Sequence, residues 1–343
     1  MKRMFLLGLV TLLIVVANPP GFTQTLGVWT SLSSLPSPRY ACSAVLIDTT
    51  VYILGGSHFS SSVPYPVLRT GILPDGTLSG WVEESCRPLE IHADSVCFAH
   101  GRYLYAMSGS KGVTNSITST MERALLYSNG SIGTWEIVGY TPIPFYESTW
   151  LQTSTDLYVF GGYPATQEVW RLPLCDNGSI GTWGLLSSNF NYGRYGTGVA
   201  LVGNRIYIQG GEGYGNTEYT ESAQILTDGN ISSWQILTRA SIRHVTPLLE
   251  KIGKRLYVIS GCYPSWSDTE TESAEILSDY TLGIWVGLSP YPNPRRFFAH
   301  VRTDKGLYVF GGRVNSDMSS VQYAPIIPAE PSDVKPKVWK EYN

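Results

Sequence analysis

Residues 157–183 read LYVFGGYPATQEVWRLPLCDNGSIGTW and contain the three landmarks that decide the fold. A tyrosine-bearing apolar run ends in a diglycine at 161–162, a second apolar run follows at 168–174, and the turn sequence DNGSIGTW ends in Trp183. Asn-Gly favours the positive φ angles of a tight hairpin turn. The stretch therefore predicts short β-strands joined by tight turns.

The same landmarks recur along the chain. Tryptophans that follow or match the turn sequence are separated by 52, 54, 48, 51 and 51 residues, and the tyrosine-bearing run occurs six times. The tryptophans are Trp29, Trp81, Trp135, Trp183, Trp234 and Trp285, and the runs are VYILGG (51–56), LYAMSG (104–109), LYVFGG (157–162), IYIQGG (206–211), LYVISG (256–261) and LYVFGG (307–312). Four short strands in each repeat of this length predict one propeller blade per repeat.

The ordered tyrosine, diglycine and tryptophan landmarks resemble the kelch repeat over about residues 26–327. The resemblance implies an all-β fold, a six-bladed β-propeller of four-stranded antiparallel blades. GVWTSL (27–32) matches the other fourth-strand sequences, so we predict that it pairs near residues 321–327 and closes the ring. The other candidate, around Trp339, lies in a proline-rich segment that suits a sheet edge at best.

Composition excludes several classes of protein. The 343 residues are 43% hydrophobic, which is ordinary for a folded chain and excludes disorder. The 24 basic and 27 acidic residues give a net charge of −3, without the basic excess of nucleic-acid-binding proteins. Length alone suggests about two domains. The repeats instead assign residues 25–327 to one propeller and residues 328–343 to a C-terminal tail.

The N-terminus predicts export. Lys2 and Arg3 precede an uncharged run from Met4 to Ala17, which is the pattern of a secretory signal peptide and is shorter than the roughly 20 apolar residues of a membrane-spanning helix. We expect residues 1–24 to be a signal peptide. The mature protein is then secreted, periplasmic or at the cell surface, without membrane insertion. An uncleaved anchor is the alternative.

Cysteines and histidines give no sign of a metal site. Five cysteines without CxxC spacing either form one or two disulfides or remain free as small buried hydrophobes, and the five histidines show neither HxH nor HExxH spacing. We therefore predict no metal and no cofactor. The cysteines are Cys42, Cys86, Cys97, Cys175 and Cys262.

One position in each repeat, 13 residues before the landmark tyrosine, is rich in basic residues. We assume one extra hairpin residue in the fifth repeat, which places Arg243 at this position. A ring of such side chains around the axis would bind a carboxylate or another anion through charge-assisted bonds. The alternative is structural pairing with Glu122, Glu168, Glu221 and Glu272. The residues at the position are Arg39, His92, Phe145, Arg194, Arg243 and Arg295.

The loops after the diglycines differ strongly between repeats, and variable loops on a rigid ring often carry recognition. Their aromatic residues Tyr163, Tyr214 and Trp266 are candidates for ligand contact. We predict a non-catalytic module that binds a protein or a glycan through this face. A resemblance to kelch-type sialic acid epimerases implies the alternative, an enzyme that acts on an acidic sugar, with Glu147 or His92 transferring protons.

Overall fold

The computed structural model describes residues 24–57, 63–111, 116–261 and 269–328. These residues form six antiparallel sheets, the blades of a propeller. The first strands of neighbouring blades contact one another and surround the axis, while the fourth strands lie at the rim. The prediction of a six-bladed all-β propeller is confirmed. None of the described residues forms a helix long and apolar enough to cross a membrane.

The strands follow the four runs of each repeat. From blade one to blade six, the first strands are Tyr40–Ile47, Val96–His100, Thr149–Gln152, Gly198–Val202, Leu248–Ile252 and Ala299–Arg302. The second strands are Thr50–Ser57, Tyr103–Ser110, Asp156–Phe160, Arg205–Gln209, Arg255–Ile259 and Gly306–Phe310. The third strands are Leu68–Gly71, Ile117–Leu126, Val169–Pro173, Tyr219–Gln224, Thr271–Glu275 and Val321–Pro328. The fourth strands are Val82–Glu83, Ile132–Tyr140, Gly184–Leu185, Gln235–Arg239, Val286–Gly287 and, in blade six, the N-terminal Gln24–Leu26 and Thr30–Leu32.

The N-terminal strands complete blade six, as predicted. Gln24–Leu26 and Thr30–Leu32 both pair antiparallel with Val321–Pro328. Between them, Trp29 packs edge-on against Tyr291, with 4.8 Å between the ring centroids. Pairing the first strands with the last removes an open edge from the ring.

The first glycine of the diglycine lies against the next blade. Gly161 has a φ of +59°, and a Cβ atom there would lie 2.2 Å from the carbonyl oxygen of Arg194. A side chain at this position would push two blades apart, which explains the glycine. Blade five instead has Ser260, also at positive φ, whose hydroxyl donates to the carbonyl of Arg295.

Landmark tyrosines join neighbouring blades. Each of four buried or half-buried hydroxyls donates to a carbonyl in the hairpin turn between the third and fourth strands of the next blade. The pairs are Tyr52 with Gly130 (2.7 Å), Tyr158 with Gly229 (2.9 Å), Tyr207 with Tyr280 (2.7 Å) and Tyr308 with Gly76 (2.9 Å). The last pair connects blade six to blade one. A buried hydroxyl requires a partner, so the turn and the tyrosine depend on each other.

The repeated tryptophans lie between blades. Trp234 is 8% exposed, and its ring meets Phe160 of the preceding blade edge-on at 6.1 Å and Phe190 at 5.7 Å. Each blade therefore covers the apolar face of its neighbour. The four cysteines within the described residues are free, which agrees with the buried-thiol alternative for them: Cys42, Cys86, Cys97 and Cys175.

Several predictions fall on other parts of the chain. Residues 1–23 of the predicted signal peptide and residues 329–343 of the predicted tail lie outside the described residues. Trp266 and Cys262, in the variable loop of blade five, lie outside them as well.

Candidate functional site

The ring residues predicted from the sequence are buried and hydrogen-bonded within the blades. Arg194 and Arg295 are 0% exposed, and the Nη1 of each donates to the carbonyl of the first glycine of its own diglycine, Gly210 at 3.0 Å and Gly311 at 2.8 Å. His92 occupies the same place in blade two and donates from Nδ1 to a backbone carbonyl at 2.8 Å. The side chains thus hold the second strand of each blade against its first strand.

Acidic partners complete two of these pairs. The Nη2 of Arg194 lies 2.5 Å from Oε1 of Glu221, and both side chains are inaccessible to solvent. The Nε2 of His92 lies 3.2 Å from Oε1 of Glu122. These carboxylates also accept backbone N–H groups, since Glu221 accepts from Tyr192. The arrangement matches the structural alternative for these positions.

Arg39 is bonded differently. Its Nη1 donates to the carbonyl of Pro66 at 3.2 Å, and its guanidinium lies over the ring of Tyr65, 4.7 Å from the centroid. Burial lowers the pKa of Arg39. This side chain is also fully buried, so it does not face the axis as a ligand group.

In blade five the ring position belongs to His244, so the placement of Arg243 needs correction. The Nδ1 of His244 lies 2.8 Å from the carbonyl oxygen of Ser260, which repeats the geometry of His92. The hairpin of blade five pairs in the same register as that of blade four and contains no extra residue. Arg243 instead lies partly exposed, with its Nη2 3.6 Å from Oε1 of Glu218.

Blade three departs from the ring pattern. Phe145 stands at the ring position, and it packs against Trp183 with 5.0 Å between the ring centroids. Glu168, the counterpart of Glu122 and Glu221, consequently has no basic partner among the described residues. Its carboxylate accepts one hydrogen bond, from Nε1 of Trp170 at 3.0 Å. Blade three therefore keeps a carboxylate that other blades consume in internal pairs.

Glu168 lines a cleft of about 690 Å³ on the variable-loop face. Tyr163 and Tyr214, two of the predicted contact residues, line the same cleft and are 54% and 74% exposed. Gln167 and Thr166 add an amide and a hydroxyl. The cleft combines aromatic surface with hydrogen-bonding groups.

Two local contacts position these tyrosines. Tyr163 meets the rings of Tyr146 and Tyr195 edge-on, at 6.0 and 5.4 Å between centroids. The short strand Arg194–Tyr195 pairs with Glu212–Gly213, which directly precedes Tyr214. Because Arg194 is itself held by buried hydrogen bonds, the ring residue of blade four supports one wall of the cleft.

A second ring encircles the axis at the same end of the channel. Two positions after each ring residue, the backbone adopts the left-handed conformation in all six blades, and backbone N–H groups donate from blade to blade, as from Gly196 to Glu147 at 2.8 Å. Such φ values are uncommon outside glycine and often mark functional sites. The residues are Ala41 (φ 56°), Asp94 (49°), Glu147 (51°), Gly196 (58°), Thr246 (55°) and Phe297 (52°).

Two carboxyl groups of this second ring interact. Burial raises the pKa of Asp94, and the charge of Glu147 raises it further, while Arg296 lowers it. Burial also raises the pKa of Glu147, opposed by a hydrogen bond with Tyr146 and by Arg296. Neighbouring carboxyl groups with raised pKa values can supply one acid and one base. Sequence reasoning identified Glu147 but missed Asp94 and Arg296.

Comparisons with known proteins agree with this architecture. No protein-family profile matches the sequence. The chain is 29% identical over 140 residues to the Kelch domain-containing protein SSO1033 of Saccharolobus solfataricus, an alignment that covers 39% of this chain and 17% of that protein. The chain thus spans less than a fifth of this relative's length. The solved structure of YjhT superposes with a TM-score of 0.68 at 13% sequence identity, covering 88% of this chain and 97% of YjhT.

The fold and repeats together define the class of the protein. It is a six-bladed β-propeller built from kelch-like repeats. Propellers of this class act as binding or enzymatic modules, and the fold does not choose between them. The choice depends on the cleft and on the second ring.

Proposed function

We propose that the protein is a glycan-binding propeller whose binding site is the cleft of blades three and four. One observation carries the proposal: Glu168, which lacks the basic partner found in other blades, lies in a cleft beside the exposed rings of Tyr163 and Tyr214. The predicted signal peptide adds the expectation that the glycan is met outside the cytoplasm.

The chemistry of the cleft suits a sugar. Tyrosine rings offer flat apolar surface to the C–H faces of a pyranose, and a carboxylate and an amide accept and donate hydrogen bonds to its hydroxyls. Small-ligand sites are concave, about 300–1,000 Å³ in volume, and carry a few well-placed polar groups. A protein partner instead needs roughly 800 Å² of surface on each side. The concave shape therefore favours a glycan over a protein.

Tyr214→Ala and Glu168→Gln are each expected to weaken glycan binding about 5- to 30-fold, because each removes one stacking or hydrogen-bonding contact of about 1–2 kcal/mol. A glycan array should identify the ligand, and isothermal titration calorimetry should give its dissociation constant for each variant.

Tyr140→Ala is the matched control, because Tyr140 is 67% exposed at the rim of blade two, outside the cleft. Its affinity should equal that of the original chain. If Tyr140→Ala weakened binding as much as the two cleft variants, or if neither cleft variant changed the affinity, the assignment of the cleft would be wrong.

A second candidate function is favoured by the carboxyl pair of the second ring. Epimerisation or mutarotation of an acidic sugar requires one group to remove a proton and another to donate one, and Asp94 and Glu147 offer this combination. Arg296 interacts with both carboxyl groups and offers a cation for the sugar carboxylate. The buried residues Arg39 and His92 are not available for these roles.

Under this second candidate, Glu147→Gln is expected to slow anomer exchange of an acidic sugar by about 10²–10⁴-fold, since one proton-transfer group is lost. Exchange spectroscopy by NMR with N-acetylneuraminate measures the rate directly. Glu136→Gln, which changes an exposed carboxylate bonded to Arg123, is the control. Exchange no faster with the original chain than in buffer would rule the candidate out for this sugar.

A further inference from the structure

The axial channel contains a hollow of about 520 Å³ below the second ring. First strands of five blades line it, and much of its wall is apolar, including Leu46, Val199 and Phe298. This volume falls in the range of small-molecule sites. The hollow is distinct from the cleft on the loop face, with which it shares no lining residue.

Three titratable side chains on two first strands line one side of the hollow: Glu250, His300 and Arg302. The Nε of Arg302 lies 4.0 Å from Oε2 of Glu250, which is too long for a hydrogen bond. Among the described residues, no hydrogen bond to the Arg302 guanidinium is found, and its side chain is 36% exposed. Arg302 is therefore a cation with donors available at the wall of the hollow.

The neighbouring groups do not neutralise this cation at neutral pH. Burial raises the pKa of Glu250 to about 7, with Arg302 opposing the rise. Burial lowers the pKa of His300 to about 4, so this imidazole is neutral. Lys251, on the same strand as Glu250, also has a lowered pKa.

No further charge faces Glu250 from the strands packed against its own. The first strand of blade four, Gly198–Val202, and the N-terminal Gln24–Leu26 carry no charged side chain. In the second strand of blade five, Arg255 bonds to the hydroxyl of Ser273 at 2.9 Å. The net charge beside Glu250 is therefore positive when Glu250 is protonated.

We infer that the hollow binds a small monocarboxylate with an apolar body. The ligand carboxylate pairs with Arg302 and accepts a hydrogen bond from protonated Glu250, while its body lies against Leu46, Val199 and Phe298. An arginine with available donors suits a carboxylate, and the apolar walls disfavour a strongly hydrated body. The inference is independent of both proposed functions, because neither uses these residues.

Binding is linked to a proton. A bound anion beside Glu250 favours its protonated form, so above pH 7 each bound carboxylate takes up one proton, and affinity falls about tenfold per pH unit. Below about pH 6 Glu250 is already protonated, and the affinity levels off until the ligand itself is protonated. Between pH 6 and pH 8.5 the expected loss is about 30-fold.

Calorimetric titration of the full chain with benzoate at pH 6 and pH 8.5 tests the inference, with benzyl alcohol as the uncharged probe. We expect benzoate to bind at pH 6 at least 10-fold more tightly than benzyl alcohol, and about 30-fold more weakly at pH 8.5 than at pH 6. Absence of benzoate binding at pH 6, or equal affinity for both probes, overturns the inference.

Two substitutions separate the roles. Arg302→Gln should reduce benzoate affinity at least 10-fold, whereas Arg302→Lys should retain part of it; Arg239→Gln, at the rim of blade four, is the control and should leave it unchanged. Glu250→Gln should still bind benzoate, but with the same affinity at both pH values. Full benzoate affinity in Arg302→Gln, or an unaltered pH dependence in Glu250→Gln, contradicts the assignment.

Discussion

Arg194→Ala is expected to lower the free energy of unfolding by about 3–5 kcal/mol, without abolishing ligand binding at low temperature. The substitution leaves the carboxylate of Glu221 buried without its cation, because both side chains are inaccessible to solvent. It also removes the donor to the carbonyls of Gly210 and Thr217. Denaturation by urea, followed by fluorescence, measures the loss.

A double substitution tests the physical reason. Arg194→Met combined with Glu221→Leu removes both charges and should recover part of the stability, since the unpaired buried charge is the main cost. Arg239→Ala, at the exposed rim, should change stability by less than about 0.5 kcal/mol. Loss of ligand binding by Arg194→Ala at unchanged stability would instead identify the basic ring as a ligand site.

Trp234→Ala should destabilise the propeller by about 3–5 kcal/mol, because it opens a cavity between two blades. The ring of Trp234 meets Phe160 and Phe190, each 1% exposed, and no nearby loop can fill the space. Since 1 kcal/mol shifts the midpoint by about 2–4 °C in a domain of roughly this size, the melting temperature should fall by about 6–20 °C.

Differential scanning calorimetry measures this shift, with Tyr214→Ala as the control, because Tyr214 is 74% exposed. The control should melt within about 2 °C of the original chain. A melting temperature of Trp234→Ala equal to that of the control would show that the repeated tryptophans do not hold the blades together.

The fold was predictable because its determinants are local and repeated. The glycine at position 161 and the hydroxyl of Tyr158 each contact the next blade, so every repeat shows the same residues at the same spacing. Closure by the strands around Trp29 was predictable for the same reason, since that sequence matches the other fourth strands.

The candidate site was less predictable, because spacing along the chain gives the position of a side chain but not its partners. Arg194 was correctly counted to its place, yet only the structure shows that its donors are used by carbonyls of the same blade. A direct count of 13 residues back from Tyr257 reaches His244. The extra residue that we assumed in that hairpin is not there.

The cleft and the second ring arise from exceptions to the repeat. Phe145, where other repeats have a basic residue, marks the blade whose Glu168 is left without a cation. Asp94 and Glu147 stand two positions after the ring residue in consecutive repeats, a signal visible in the sequence. Their interaction with Arg296 depends on the closed ring, which brings blades two, three and six to one axis.

Closure of blade six by both ends of the described chain sets the order of folding. Leu26 pairs with Ile326, a partner made 300 residues later. At a synthesis rate of about 5–20 residues per second, the N-terminal strands wait roughly 15–60 s for that partner. During this time they present an unpaired edge, which is prone to association with other chains. Contacts of such long sequence separation also fold slowly, so assembly of the sixth blade is expected to be the last and slowest event in the maturation of the propeller.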